Sequence, residues 1–141
     1  MASLLNPNCR IKVSSVLNRE TALYGKQFLT DNSEETCWNS EPGTPQFIAI
    51  DFGRNVQIET IQVMFQGGFV GKTCQLLAWT DAGEYVEMMR FYPEDINPLQ
   101  SFPVAEDERQ TTSRVKIVFE SSTDFFGRIT VYMLDILGHD A

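Results

Sequence analysis

Histidine and cysteine, on which most nucleophilic and metal-dependent sites are built, are scarce in this sequence. The only histidine, His139, lies two residues from the end, where chains commonly fray, so a Ser-His-Asp or Cys-His arrangement lacks a well-placed base. The three cysteines, Cys9, Cys37 and Cys74, are far apart and form no Cys-x-x-Cys pair. This spacing argues against a disulfide framework and a zinc site, and it favours a reducing, intracellular compartment.

Long apolar stretches and basic residues are also missing. No apolar run approaches the roughly 20 residues of a membrane-spanning helix, and residues 1–12 lack the basic start and long apolar block of a secretory signal. We therefore expect a protein that is not secreted. The sequence has 11 lysines and arginines and 19 aspartates and glutamates, which gives a net charge of −8. Such a surface repels phosphate backbones and anionic headgroups, so neither direct nucleic-acid binding nor membrane attachment is expected.

The residues that are present suffice for one globular core. The 141 residues are 43% hydrophobic and 11% aromatic, and a chain of this length buries roughly two-thirds of its unfolded surface. We expect a single domain over residues 1–141. About eight short apolar segments alternate with Gly, Pro, Asn and Asp turns, which is typical of an all-β sandwich or barrel.

Local features refine this prediction. Apolar residues over 56–66 are spaced by twos with a phase slip at Glu59–Thr60, which predicts a bulge or a bend between two strand segments. The triplet 81–83 ends in glycine and predicts a hairpin turn. Residues 19–28 could form a short helix, and residues 99–102 an edge strand.

Two loops carry the candidate binding residues. Phe69 and Val70 stand between glycines and predict an exposed loop tip that contacts a ligand, with packing against the core as an equal alternative. Phe125, Phe126 and Arg128 stand at a strand junction. There the favoured interpretation is that one phenylalanine plugs the core while Arg128 lies in solvent, and a binding role is the alternative. Paired carboxylates lie in polar, turn-like surroundings, so the sequence offers no support for an enzyme.

The opening third of the chain carries a recognisable pattern. A polar loop leads into Thr-x-Trp-x-Ser, an aromatic residue and a strand that ends in Asp-Phe-Gly; the residues concerned are Thr36, Trp38, Ser40, Phe47, Asp51 and Gly53. The pattern resembles the opening motif of discoidin domains, also called coagulation factor V/VIII type C domains. The later segments FQGG, TDAG and GRITVYMLDILG follow in the same order, so the resemblance covers residues 14–138. It implies a galactose-binding-like jelly-roll β-sandwich of about eight antiparallel strands.

Two further segments, FYPEDINPLQSFP and TDFFGR, resemble a narrower group of small discoidin-like proteins that associate with an orphan nuclear receptor. This resemblance implies a non-enzymatic interaction protein of nucleus and cytoplasm, monomeric on its own, which represses the receptor by hindering its binding to DNA. The alternative is a module that binds carbohydrate or a lipid headgroup through Trp38, the loop over 65–72 and Arg128.

An acidic run suggests how such a protein would act. Five carboxylates stand between residues 94 and 108: Glu94, Asp95, Glu106, Asp107 and Glu108. If they cluster into one ridge, they could cover the basic DNA-binding face of a receptor by complementary potential. The alternative, which is usual for charge runs, is a solvated surface.

The resemblance also raises the question of a metal. Several galactose-binding-like domains bind a structural calcium near the opening loop, and Asp31, Thr36 and Asp135 stand where side-chain oxygens could contribute. Calcium prefers six or more oxygen ligands, so backbone carbonyls would have to complete the site. The alternative is that Asp31 and Thr36 organise an Asx-type turn. No other cofactor is expected.

Overall fold

The computed structural model describes residues 2–141, and β-strands dominate it. Nine strands lie in this range: β1 (Ala2–Ser3), β2 (Arg10–Val13), β3 (Trp38–Asn39), β4 (Gln46–Phe65), β5 (Cys74–Trp79), β6 (Tyr85–Phe91), β7 (Gln100–Pro103), β8 (Thr111–Phe119) and β9 (Thr130–Asp140). Every strand pair is antiparallel. The prediction of an antiparallel all-β fold is confirmed.

Helix is confined to short turns. The α-helix α1 (Thr21–Tyr24) is followed by a 3-10 turn at Lys26–Leu29, and further 3-10 turns lie at Leu17–Arg19 and Glu106–Glu108. Gly25, in extended conformation, separates α1 from the next turn. The expected helix over 19–28 is therefore broken into single turns. Nowhere between residues 2 and 141 is a helix long and apolar enough to cross a membrane.

Strand β4 joins the two layers of the sandwich. Its first half, residues 46–51, pairs with β2 and β8, and its second half, residues 56–65, pairs with β7 and β9. The first sheet has the order β2-β4-β8-β5-β6, and the second has the order β7-β4-β9 with β1 and β3 on the far side of β9. The sequence predicts separate strands for these segments. The structure instead has one bent strand whose register shifts between Asp51 and Val56.

The predicted phase slip at Glu59–Thr60 is confirmed. The register between β4 and β9 shifts between Ile58 and Thr60. Buried positions change there from even numbers, such as Ile58, to odd numbers, such as Ile61. One inserted residue turns the side chains to the opposite face, so the bulge keeps the apolar residues of both halves directed into the core.

The core lies between the two sheets and is closed by aromatic rings. Phe119 of β8 contacts Phe65 of β4 edge to face, with ring centroids 5.9 Å apart, and its ring lies 6.2 Å from that of Trp38. Trp38 is fully buried, and its indole N–H donates to the carbonyl of Ser15 over 2.9 Å. Trp38 therefore belongs to the core.

The remaining sequence features are the cysteines, the hairpin and the edge strand. All three cysteines are free, and burial raises the pKa of the Cys74 and Cys37 thiols, so neither favours the reactive thiolate. Strands β5 and β6 form the predicted hairpin, with Gly83 at φ +79° in its turn. The predicted edge strand is β7, which lies one residue further along than expected.

Candidate functional site

Four loops meet at one end of the sandwich, which we call the loop end. They are the β3–β4 connection, the segment after β4, the β6–β7 connection and the β8–β9 connection, which cover residues 40–45, 66–73, 92–99 and 120–129. The β6–β7 loop is tied to the segment after β4 because Asp95 Oδ1 and Asn97 Oδ1 accept the backbone N–H groups of Gly68 and Gly67, each over 2.7 Å.

The β8–β9 loop is fastened on both sides. Val70 donates its N–H to Thr123 Oγ1 over 3.0 Å and accepts the N–H of Thr123 over 2.8 Å. On the other side, Gly43 donates to the carbonyl of Phe126 over 2.7 Å. Gly127 has φ +83°, and a Cβ there would meet the backbone of Gly43 at 2.9 Å, so only glycine fits this contact.

Of the two alternatives for Val70, packing against the core is confirmed, and exposure at a loop tip is wrong. Val70 is 0% exposed and belongs to the core, whereas Phe69 is half-buried at the surface. The strand-like pairing of this segment, including the bridge between Gly71 and Ser122, explains the difference. Alternate residues of an extended segment face opposite sides, so Val70 points inward when Phe69 points outward.

The favoured interpretation of residues 124–128 is also wrong, because neither phenylalanine plugs the core. Phe125 is 94% exposed and Phe126 is 62% exposed. Their rings contact each other edge to face, with centroids 5.3 Å apart. A turn closed by the Gly127 N–H to the carbonyl of Asp124 lifts both side chains away from the sandwich.

Arg128 does not lie free in solvent. Its guanidinium stacks over the rings of Phe69, at 5.0 Å, and Phe126, at 5.8 Å. The Asp124 carboxylate holds the guanidinium by accepting two hydrogen bonds, from Nε over 2.9 Å and from Nη2 over 3.2 Å. The Arg128 partner also holds the pKa of Asp124 below its usual range, so the pair stays charged at neutral pH.

These contacts build one surface at the loop end, which we call the aromatic–arginine surface: Phe69, Phe125, Phe126 and Arg128. Asp124 and the stacked guanidinium hold Arg128, Phe69 and Phe126 in place, so these three side chains have little freedom left to lose on binding. Phe125 contacts the ring of Phe126 and otherwise projects into solvent. Asp124 was missed in the sequence, although its position four residues before Arg128 was a usable signal.

The five carboxylates do not form the single ridge that the hypothesis of an acidic cover for a DNA-binding face requires. Glu94 and Asp95 are exposed at the loop end, whereas the turn Glu106–Glu108 lies near Glu59, whose carbonyl accepts the N–H of Val104. Between the two places β4 runs from Glu59 to Phe65, roughly 20 Å of extended strand at about 3.3 Å per residue. Glu106, Asp107 and Glu108 are therefore at the far end of the sandwich.

The residues proposed for calcium serve as local hydrogen-bond partners. Thr36 donates its hydroxyl to Asp31, which also accepts the N–H of Ser33 over 3.1 Å in an Asx turn. Asp135 accepts the hydroxyl of Ser3. Residues 2–141 contain no group of three His, Cys, Asp or Glu side chains that could hold a metal ion. Calcium binding stays a prediction, which the melting temperature with and without a chelator would test.

Two other candidates are not part of this surface. Trp38 is buried and offers no ring to a ligand, so it cannot contribute to a sugar-binding platform. The exposed His139 has its Nδ1 3.7 Å from Glu59 Oε1, at the far end of the sandwich.

Comparisons with known proteins place the chain by both fold and sequence. It superposes on a carbohydrate-binding module of Clostridium perfringens in complex with GalNAc-β-1,3-galactose, with a TM-score of 0.79, 16% identity and coverage of 97% of this chain and 100% of that one. It also superposes on a chitosan-binding module from a Paenibacillus chitosanase/glucanase, with a TM-score of 0.77, 15% identity and coverage of 98% and 100%. These likenesses confirm the galactose-binding-like jelly-roll fold.

Sequence comparison is more specific. No family model matches the chain. Nuclear receptor 2C2-associated protein of Xenopus laevis is 49% identical over 138 residues, covering 98% of this chain and 99% of the relative. The proteins of the same name from Danio rerio and Homo sapiens are 47% and 42% identical, each over 96% of this chain and at least 95% of the relative. The chain therefore belongs to the nuclear receptor 2C2-associated protein family.

Proposed function

We propose that this protein is a non-enzymatic interaction module of nucleus and cytoplasm, monomeric on its own, that binds the DNA-binding domain of the orphan nuclear receptor 2C2 and hinders its binding to DNA. The name of the relatives supports the identity of the partner. The observation that carries the proposal is the aromatic–arginine surface, where Phe125 is 94% exposed.

The composition of this surface suits a protein interface. Binding hot spots are enriched in aromatic residues and arginine, which bring large contact areas with few rotatable bonds. Phe125 and Phe126 present two rings at right angles, and Arg128 supplies donors beside them. Two adjacent exposed phenylalanines form an apolar patch whose exposure to water is unfavourable, and such patches mark sites that a partner covers.

The charges around the surface support the choice of the receptor's DNA-binding domain. Glu94 and Asp95 lie at the same loop end as Phe69, with Asp95 held by the N–H of Gly68. A DNA-binding face is basic because it must neutralise phosphates. Carboxylates at the rim of an apolar contact would steer such a face and keep DNA from it by competition.

The separation of the acidic residues allows a test with a matched control. We expect E94Q/D95N to weaken binding to the receptor's DNA-binding domain about 3- to 10-fold at low salt, because each rim ion pair contributes about 0.3–0.7 kcal/mol. Asn at 95 keeps an acceptor for Gly68, so the loop is preserved. Titration calorimetry at low and high salt measures the change.

The control is E106Q/D107N/E108Q, which removes more charge at the far end of the sandwich and should leave affinity nearly unchanged. If both variants weaken binding equally, the overall charge of the protein determines the affinity, and the proposal that Glu94 and Asp95 at the loop end contact the receptor fails. Binding that is indifferent to salt would also contradict the electrostatic part of the proposal.

A second candidate function is carbohydrate binding at the loop end. The observation that favours it is an exposed ring, Phe126, beside a guanidinium and a carboxylate, Arg128 and Asp124, which is the combination that sugar sites use. A glycan array discriminates between the candidates. The leading proposal expects no glycan to bind, and a hit that disappears in the variant F126A would favour the module that binds sugar.

A further inference from the structure

The outer face of the first sheet carries a second feature, separate from the loop end. Strand register places Lys12 of β2, Ala49 of β4 and Lys116 of β8 directly opposite one another. Opposite residues of antiparallel strands share a face, and their neighbours Ile50 and Ile117 are buried in the core. The row with Ala49 at its centre therefore faces outward.

The next row along the strands repeats the arrangement. Arg10 of β2, Asp51 of β4 and Arg114 of β8 are opposite one another, two residues further along. The two rows bring together four of the 11 basic residues of a chain with net charge −8, and only one acid. Arg114 Nε lies 3.3 Å from Asp51 Oδ2, so these two residues form an ion pair.

Three of these cations have no carboxylate partner. Arg10, Lys12 and Lys116 lie beyond 4.0 Å from every carboxylate in residues 2–141, although acids outnumber bases in the chain. Gathering unpaired like charges costs free energy through repulsion. An anionic ligand would remove this cost and would find the cations already assembled.

Aromatic rings fix two of the four cations in place. The ammonium of Lys116 lies 4.7 Å from the ring centroid of Phe47 and 4.8 Å from that of Tyr85. Arg114 stacks on Trp79 at 5.5 Å. These cation–π contacts restrict the long side chains of Lys116 and Arg114 to positions over the rings.

Beside these side chains lies an open groove. Its volume is about 270 Å³, and its lining includes Arg10, Lys12, Arg114, Ala49 and Tyr85 together with one carboxylate, Asp51. Lys116 does not line the groove but stands beside it, opposite Ala49 in the strand register. The small side chain of Ala49 makes the floor, while Lys12 and Lys116 are two strand spacings apart, roughly 10 Å between Cα atoms. This volume is below the roughly 300–1,000 Å³ usual for small-molecule pockets, and the open shape suits the side chains of an extended chain.

We propose that this groove binds an extended acidic peptide segment with carboxylates on alternate residues. The two cation rows are separated by two residues of β4, about 7 Å, which is also the distance between residues i and i+2 of an extended peptide. In the first row a carboxylate would meet both Lys12 and Lys116, and in the second row it would meet Arg10, because Arg114 is already paired with Asp51. Nucleic acid is the less favoured anion, because the rest of the surface is acidic and repels a polyphosphate.

The probe for the test is a fluorescein-labelled ten-residue peptide of alternating glutamate and alanine, with alternating lysine and alanine as the control peptide. We expect saturable binding of the acidic peptide, measured by anisotropy, and none of the basic one. The variant K12Q/K116Q should weaken binding at least about tenfold. The matched control K26Q/K72Q changes net charge equally, at two exposed lysines outside the groove, and should bind like the wild type.

A second variant, which leaves the charge unchanged, keeps the test informative if the lysine variant does not fold. A49L fills the groove floor on the outer face and should reduce binding while the melting temperature stays close to that of the wild type. Equal weakening by K12Q/K116Q and K26Q/K72Q, or normal binding by A49L, would overturn the proposal. Absence of saturable peptide binding would overturn it too, as would binding of heparin or single-stranded DNA in the groove without binding of the peptide. The variant F125S/F126S should bind the acidic peptide normally, so this result is independent of the proposed receptor surface.

Discussion

Replacing Trp38 with alanine is expected to lower the free energy of unfolding by about 3–5 kcal/mol, the usual range for truncating a fully buried large aromatic side chain. The indole is 0% exposed and lies against Phe119 between the sheets. Its loss leaves a cavity, and it also removes the donor to the Ser15 carbonyl. Urea unfolding, compared through both midpoint and slope, measures the change.

The other tryptophan provides the control. Trp79 is half-buried on the outer face of β5, where its ring contacts Tyr85 at 5.0 Å. W79A should cost no more than about 1–2 kcal/mol, because a partly exposed ring buries less apolar area. If W38A proves no more destabilising than W79A, Trp38 does not close the core as described.

The second large effect concerns the loop end. The double variant F125S/F126S should weaken binding to nuclear receptor 2C2 at least about 30-fold, since truncation of a hot-spot residue costs at least about 2 kcal/mol. The melting temperature should change little, because both rings project into solvent. Calorimetric titration of the receptor with each variant provides the affinities.

An apolar side chain that is exposed elsewhere serves as the control for this result. Leu23 on α1 is 59% exposed, and L23S removes a comparable surface residue outside the loop end. It should leave receptor affinity unchanged. If L23S weakens binding as much as F125S/F126S does, the contact is nonspecific and the aromatic–arginine surface is not the receptor-binding site.

The strands, the bulge and the hairpin could be predicted because their signals are local. Alternation of apolar residues with period two marks a strand whatever lies across the sandwich, and the slip at Glu59–Thr60 reports the bulge directly. The glycine of the β5–β6 turn is similarly informative, because its backbone conformation depends on its immediate neighbours.

The candidate site could not be predicted in the same way, because side-chain exposure in loops depends on which other loops pack there. Phe69 and Val70 are both apolar, and it is the pairing with the β8–β9 loop, through the hydrogen bonds between Val70 and Thr123 and the bridge between Gly71 and Ser122, that turns Val70 inward. The acidic residues show the same limit. Glu94 and Glu106 are close in the chain, yet β7, which lies between them, carries the chain along β4 to the far end.

The outer groove illustrates the limit most clearly. Lys12 and Lys116 are far apart in the sequence and come together only because β2 and β8 flank the same half of β4. A charge count reports a uniformly acidic protein with net charge −8. Only the register of the strands shows that three lysines and arginines without a carboxylate partner, Arg10, Lys12 and Lys116, lie together on one face.

The most direct measurement of the proposed function is competition with DNA. Labelled response-element DNA is bound to nuclear receptor 2C2, and this protein is titrated into the complex while anisotropy is recorded. The proposed mechanism predicts that the wild type releases the DNA in a saturable manner, that F125S/F126S does not, and that E106Q/D107N/E108Q behaves as the wild type. A rise in anisotropy, which would signal a ternary complex, or unchanged DNA binding at concentrations that saturate the receptor would contradict the mechanism.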